Sequence, residues 1–315
     1  MDISFIIINW NTRDLLVDCL NSIEKHVKGY SFETFVVDNN SSDGSADLVE
    51  KLFHNRVNLI RNSENMGFAR ANNQAIKSAK GRCVILLNSD TVLNKRTVSG
   101  LVTFLDSHSD AAMVGPRMTD ENGKLQNSYD NFPALITELL NKSILRILFP
   151  GKFAGKSLKT DLPFEVDSLI GACIAIRSEA IKEVGMFDED YFFFLEETDW
   201  CFRMRRAGWK IFHQPEIDII HLQGQSKKMR PALSWIEYYR SLYKYFKKNR
   251  SRASYLCLRI FRFLKLVINL VLTFIGLLFT LGKKKRLREK TVIYSRILWW
   301  HLTLCPDHVG LKEKG

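Results

Sequence analysis

Four short apolar runs, each followed by an amphipathic stretch, fill the first 110 residues, and this alternation restricts the fold more than any other feature. The runs are SFIIINW (4–10), FETFVVD (32–38), VNLIRN (57–62) and RCVILLNSD (82–90). The stretches DLLVDCLNSIEKH (14–26), ADLVEKLF (46–53), NNQAIKSA (72–79) and KRTVSGLVTFLDSH (95–108) read as helices, with apolar spacing as at Leu16, Cys19, Leu20 and Ile23. Strands that are apolar along their whole length are buried on both faces. The pattern therefore predicts an α/β domain, a mostly parallel twisted sheet with helices on both faces. Such sheets bind ligands in the loops beyond the carboxyl ends of their strands.

The polar signatures fall in those loops. Asn9, Trp10, Asn11 and Thr12 end the first strand, and Asp38 begins a DNNSSDG loop after the second. Asn65, Met66, Gly67 and Phe68 follow the third strand, and Asn88, Ser89 and Asp90 end the fourth. Any one such loop is equally a helix cap. Four at equivalent strand ends outline one crevice. There, Asp38 can accept from a base imide or a ribose hydroxyl. Asp90 offers the hard carboxylate with which Mg²⁺ or Mn²⁺ grips a diphosphate, phosphate and water supplying most other ligands. No G-x-G-x-x-G follows the first strand and no P-loop motif occurs, so dinucleotide and P-loop readings lose their main support.

Residues 185–226 add the other half of a site. An aromatic run leads into Glu196, Glu197 and Asp199, then a basic helix-like segment, then a strand-like run that delivers His221 into a Gly/Ser turn. Acids and histidine are remote in sequence, and a metal-dependent active site is the economical reason to bring them together. The plain alternative is an acidic helix start and a satisfied core histidine. If LEETDW opens a helix, Asp199 can pair with Arg203 at i+4.

Charge is unevenly placed. Residues 1–225 carry 25 basic and 30 acidic side chains, whereas residues 226–300 carry 19 basic and two acidic ones. A mildly acidic body joined to a basic tail implies two tasks. The tail's charges flank a long apolar run, not interleaved aromatics, which favours an anionic membrane surface over nucleic acid. Six scattered cysteines without a CxxC pair fit a reducing compartment and argue against zinc or a disulfide framework. The opening MDISFIIINW lacks a basic leader region and reads as a buried strand, not a signal peptide.

Taken in order, IIINWNTRDLLVDCLNSI, VVDNNSSDGS, NMGFARANNQAI, ILLNSDTVL, GACIAIRSEAIKEVGMFDEDYFFFLEETDWCFRMRRAGW and HLQGQS span roughly seven tenths of the chain. The sequence resembles the family 2 glycosyltransferases of the GT-A (Rossmann-like) fold, in the branch of bacterial rhamnosyltransferase-like enzymes of cell-surface polysaccharide assembly. The resemblance implies a catalytic domain over residues 1–226 and an inverting transfer from a nucleotide-diphosphate sugar, rhamnose being the leading guess, to a hydroxyl of a glycan or lipid-linked acceptor. It places Asn11 and Asp38 at the base and ribose, Asn65 and Gly67 at the donor diphosphate, and Asp90 at the last position of the D-x-D metal motif. His221 matches the later metal ligand of a divalent cation, Mg or Mn, and Glu197 the general base. Two positions depart from the family pattern: Asn88 stands at the first D-x-D position, and Glu197 where Asp is commoner. The rival readings are a sugar-phosphate nucleotidyltransferase, which would normally carry a Gly-rich, Arg-containing loop after the first strand, and a non-catalytic membrane-bound glycan- or nucleotide-binding module.

Residues 120–164 are weakly patterned. Their helix-like LITELLNKSILRILF reads as lid, membrane contact or core, with core preferred. The tail over 227–315 centres on LVINLVLTFIGLLFTL (266–281), slightly short for a bilayer span. Arg262, Lys265, Asn269, Thr273, Gly276, Thr280 and Lys283 form one polar or small stripe along it, which a lone lipid-surrounded span would not need. With the following KKKRLREK, this favours a helix in the plane of the cytoplasmic face of the cell membrane, peripheral or re-entrant, over a single-pass span. Trp299 and Trp300 would add a second interfacial contact. A soluble helical hairpin or a homodimer contact is the remaining alternative.

Overall fold

The computed structural model describes residues 1–140, 142–149, 160–222, 231–307 and 309–311. The chain forms two compact units: Met1–Phe132 with Pro150–Phe192 and Glu196–Gln223, and Pro133–Phe149 with Phe193–Leu195 and Gly224–Gly315.

The first unit begins with β1 (Ile3–Asn9), α1 (Arg13–His26), β2 (Phe32–Asp38), α2 (Ser45–Phe53), β3 (Asn58–Arg61), α3 (Phe68–Ile76) and β4 (Cys83–Asn88). These four strands are parallel in the order β3-β2-β1-β4. Asn9 lies opposite Asp38, and Ile8 opposite Asn88, so the carboxyl ends of the three inner strands are level. Next come β5 (Thr91–Leu93), α4 (Thr97–Ser107), β6 (Ala111–Thr119) and β7 (Tyr129–Asp130). After α5 (Leu135–Leu139) and α6 (Lys142–Leu148), both in the second unit, the first resumes. It continues with β8 (Phe164–Glu165), β9 (Ser168–Leu169), β10 (Cys173–Arg177), α7 (Ser178–Val184), α8 (Glu196–Arg206) and β11 (Lys210–His221). Beyond β4 the sheet is mixed. β10 inserts antiparallel between β4 and β6, β11 runs parallel to β6, and β5 and β8 pair antiparallel with β11. A separate small sheet joins β7 and β9.

Alternate residues of each central strand feed two cores. Ile3, Phe5 and Ile7 of β1 pack with Leu16, Leu20, Leu101 and Val102 on one face. Ile6 joins Val37, Leu86, Ala69, Ala75, Trp200 and Met204 on the other. Each fully buried Ile, Leu or Phe stabilises by about 1.5–3 kcal/mol, which is why the strands are apolar throughout. Four of the six cysteines are buried here, and burial pushes the Cys19, Cys83 and Cys201 thiols up to about 12. They are core residues, not nucleophiles.

In the second unit, α9 (Pro231–Asn249), α10 (Arg252–Phe279) and α11 (Lys285–Leu302) bury Ile236, Leu242, Tyr245, Phe246, Leu258, Leu266, Ile297 and Trp300. The buried ion pair of Glu237 with Arg240, the bonds from Arg240 to the carbonyls of Pro306 and Val309, and the pair of Arg262 with Glu138 tie its segments together. Tyr243 Oη lies 2.9 Å from His301 Nε2. Ser251 caps α10, accepting from the Ser254 N–H at 3.2 Å.

Two expectations are corrected in this unit. LITELLNKSILRILF is not one core helix: it divides into α5 and α6, and Ile144, Ile147, Leu148 and Phe149 are exposed while Leu145 alone of that group is buried. Trp300 is 1% exposed and stacks parallel to Tyr243, so it cannot be an interfacial anchor; Trp299, 68% exposed, remains available for one.

Candidate active site

The loops after β1 and β2 hold one another. Asn9 Nδ2 donates to Asp38 Oδ1 at 2.8 Å and to Ser41 Oγ at 3.0 Å, and the Ser41 N–H donates to Asp38 Oδ2 at 3.0 Å. Asn11, at φ 55°, accepts the Ser42 N–H on Oδ1 at 2.7 Å, while its own N–H reaches Ser41 Oγ at 3.0 Å. Asn11 and Asp38 are thus brought together through two serines. Asp38 is buried, and each carboxylate oxygen keeps a further lone pair beyond its internal bond.

Asn39 carries the link to the third loop, a role its sequence position does not announce. Its Nδ2 donates to Asn65 Oδ1 at 2.8 Å, and its Oδ1 accepts the Met66 N–H at 2.9 Å and Asn62 Nδ2 at 3.1 Å. Gly67, at φ 82°, is pressed against Phe192. A Cβ at Gly67 would lie 2.5 Å from the Phe192 carbonyl oxygen, and the Phe68 N–H donates to that oxygen at 2.7 Å. Only glycine meets both the backbone angle and the contact.

Asp90 and His221 meet because β5 pairs with the end of β11. His221 lies opposite Thr91, and the Leu222 N–H donates to the Asp90 carbonyl at 2.9 Å. The pairing sets His221 Nε2 3.3 Å from Asp90 Oδ1, both side chains being largely buried. On the other side of the ring, Nδ1 is 2.9 Å from Gln126 Oε1, and Gln126 Nε2 donates to the His221 carbonyl at 2.7 Å. Ser89 Oγ lies 2.7 Å from Thr12 Oγ1, which donates to Asn9 Oδ1 at 2.7 Å, so this corner is tied to the β1 loop.

The three acids at the start of α8 have different surroundings. Asp199, 2% exposed, takes Arg203 Nε at 2.9 Å, the i+4 pairing expected of a helix there. Glu196 is 3% exposed, and Glu197 is the least buried of the three. The Glu197 carboxylate sits against Gly171, its Oε1 3.6 Å from where a Cβ would stand. The next residue, Ala172, accepts the Asn88 N–H on its carbonyl at 2.9 Å. Gly171 and Ala172 therefore bridge the acid to the loop that bears Asn88 and Asp90. Asn73 holds the approach to α8: its Nδ2 donates to the Phe187 carbonyl at 2.9 Å and to Glu189 Oε1 at 3.0 Å, and its Oδ1 accepts the Phe187 N–H at 3.1 Å.

The Glycosyl transferase family 2 model matches residues 4–185, more than half of the chain. The chain belongs to glycosyltransferase family 2. As a member of that family it is a glycosyltransferase, and the nucleotidyltransferase and non-catalytic readings are set aside. It is 26% identical over 223 residues to the N-acetylglucosaminyl-diphospho-decaprenol L-rhamnosyltransferase of Mycobacterium tuberculosis, covering 66% of this chain and 72% of that protein. It is 27% identical over 226 residues to the low-salt glycan biosynthesis hexosyltransferase Agl10 of Haloferax volcanii, covering 70% and 67% of the two chains. Among solved structures it is similar to the mannosyltransferase PcManGT from Pyrobaculum calidifontis in complex with GDP-Man and Mn²⁺. The TM-score is 0.56 at 14% identity, over 96% of this chain and 86% of that one. At that identity the likeness is one of fold, the GT-A arrangement.

The match to the glycosyltransferase family ends at residue 185, before Glu197 and His221. Of the last motif, residues 223–226 lie outside the described residues. Among the described residues no group of three or more His, Cys, Asp and Glu side chains is placed to hold a metal. The pair of Asp90 and His221 nevertheless fits a divalent ion. Neighbouring ligands of one octahedral ion at about 2.1 Å stand about 3 Å apart, close to the separation seen here. A carboxylate oxygen and an imidazole nitrogen are donors such an ion accepts.

Proposed function

We propose that this glycosyltransferase moves a sugar, rhamnose as the leading candidate, from a nucleotide diphosphate to a hydroxyl of a lipid-linked or cell-surface glycan, with inversion at the anomeric carbon. The observation that carries the reading is the convergence of Glu197 and the pair of Asp90 and His221 on the stretch of Gly171, Ala172 and Asn88, at the strand ends that also bear Asn11 and Asp38. The sugar follows from the rhamnosyltransferase relative, and the nucleotide-sugar donor and cation from the mannosyltransferase complex.

In this reading Asn11 and Asp38 hold the base and ribose, while Asn65 and Gly67 shape the loop facing the diphosphate. Asn88 offers an amide where a carboxylate is commoner. The acceptor oxygen attacks the anomeric carbon and gives its proton to the Glu197 carboxylate. The bond from that carbon to the diphosphate oxygen breaks, and its electron pair leaves with the diphosphate. Asp90 and His221 would hold a divalent ion, which when bound would supply charge stabilisation to that leaving group and so remove the need for a general acid.

The second unit supports a place at the cytoplasmic membrane surface. α10 is long and apolar enough to cross a bilayer, and Ile260, Leu264, Ile268, Leu272, Leu278 and Phe279 are exposed along it. α11 packs beside it, with Leu287 Cδ1 3.2 Å from where a Cβ at Gly276 would stand. A spanning α10 would draw Arg286, Arg288, Glu289 and Lys290 toward the hydrocarbon, at about 3 kcal/mol for each such charge near its centre. An in-plane hairpin leaves them among headgroups.

The test is a thermal-shift series of nucleotide sugars with and without Mn²⁺. Ligand that binds only the native state raises the melting temperature by mass action. Deoxythymidine-diphosphate rhamnose should give the largest shift, and Mn²⁺ should enlarge it. A larger shift from another nucleotide sugar replaces the sugar assignment, and no shift from any of them removes the donor reading.

A further inference from the structure

We infer that Gln126 is a positioning residue for His221, holding its imidazole in the tautomer that presents a bare Nε2 beside Asp90. The inference rests on the reading of Asp90 and His221 as a cation site and extends it to a residue outside every motif named above.

Gln126 is delivered by a tight hairpin. After β6, Thr119 bridges to Leu125, the Asp120 carboxylate accepts the Asn122 and Lys124 N–H groups, and Gly123 turns the chain at φ 76°. The Gln126 N–H then donates to the Met118 carbonyl at 2.9 Å, which fixes its backbone beside β6, the neighbour of β11.

The amide orientation follows from donor chemistry. The His221 carbonyl can only accept, so the Gln126 atom 2.7 Å from it is the NH₂ nitrogen. Oε1 is then the atom at 2.9 Å from His221 Nδ1, and an oxygen acceptor requires that Nδ1 carry the proton. Neutral imidazole has one N–H, so Nε2 keeps its lone pair. In that neutral form the lone pair faces Asp90 Oδ1 at 3.3 Å, two acceptors that only a proton or a metal cation can bridge. Without Gln126 the other tautomer is available. Its Nε2–H would donate to Asp90, and the two ligands would satisfy each other instead of an ion. One amide thus grips both the ring and the main chain of His221 and keeps the pair open.

The experiment uses the full chain in detergent. Imidazole ¹⁵N chemical shifts of His221, assigned by comparison with His221→Ala, report the tautomer without metal. Mn²⁺ affinity is measured by electron paramagnetic resonance in the presence of a nucleoside diphosphate. Gln126→Met keeps the volume and removes both hydrogen bonds. It should move the His221 proton toward Nε2 and weaken Mn²⁺ binding by about 10–100-fold, the usual effect of removing such a ligand's partner. Gln126→Glu keeps an acceptor at Nδ1 and should restore the tautomer and most of the affinity. Overturning results are an unchanged tautomer and wild-type affinity in Gln126→Met, or failure of Gln126→Glu to restore either in a folded protein. If Asp90→Ala and His221→Ala also bind Mn²⁺ like the wild type, it is the cation-site reading that fails, and the role of Gln126 falls with it.

Discussion

The choice between Glu196 and Glu197 turns on a single helical step. The two are neighbours at the start of α8, about a hundred degrees apart around it, and Glu197 is the less buried, with its carboxylate against Gly171. If Glu197 accepts the acceptor's proton, Glu197→Gln keeps size and polarity but loses basicity. It should lower kcat by about 10²–10⁴-fold with little change in donor affinity. Glu196→Gln should be much milder, and Asp199→Asn should mainly cost stability by weakening the bond to Arg203. Steady-state kinetics with a titration of the donor checks all three, and a dead Glu196→Gln beside an active Glu197→Gln would reverse the assignment. At this scale the sequence suggests a role where residue type carries the chemistry, as for Asp90, His221 and the acids. It is silent on Asn39, Asn73 and Gln126. These are neutral amides whose partners are remote: Asn73 and Phe187 are 114 positions apart, Gln126 and His221 95. Nothing in local periodicity marks such a residue, because its task is set entirely by which loops the fold brings together.

Elements were legible in proportion to their length and burial. β1, β2 and β4 and the helices around them declare themselves through apolar runs and helical spacing, because both sheet faces are covered there. β5, with three residues, has no period to detect, yet it is the strand that brings Asp90 to His221. The division of the apolar stretch into α5 and α6 is equally hidden, since apolar composition states that surface is to be covered without saying by what. α6 and α10 both leave large apolar side chains exposed, up to 86% at Phe279. The polar and small residues of α10 fall on one stripe: Thr273 is buried, Arg262 pairs with Glu138, and Gly276 faces Leu287. A helix built this way has one face packed within its unit and another that is apolar and exposed, the face that the in-plane membrane reading covers with lipid. The full chain in membranes should therefore be extracted by alkaline carbonate, and retention in the carbonate pellet would favour a true span of α10 instead.

The molecule as a whole is electrically lopsided, a slightly acidic body on a strongly basic tail. That much is plain from composition, whereas the membership of the second unit is not. Residues 133–149 and 193–195 cluster with the tail although they lie within residues 1–226, the stretch expected from the sequence to form the catalytic domain. Truncation is therefore a poor test of membrane binding. Removing residues from 254 onward would strip Leu258, Leu266, Ile297 and Trp300 from the core of that unit and leave Glu138 without Arg262. Charge neutralisation leaves the core intact. Lys283, Lys284, Lys285, Arg286 and Arg288 are exposed at the turn and first helical turns of α11. Each basic residue near an anionic surface contributes about 1 kcal/mol, so changing all five to Gln should weaken partitioning to phosphatidylserine vesicles by about three to four orders of magnitude. Raising the salt concentration should weaken the wild type in the same direction by screening the same attraction. Binding to neutral vesicles should be little changed, because the exposed apolar face of α10 is untouched. Vesicle co-sedimentation separates the two contributions, and equal binding of wild type and variant to anionic vesicles would show that the basic tail has another partner.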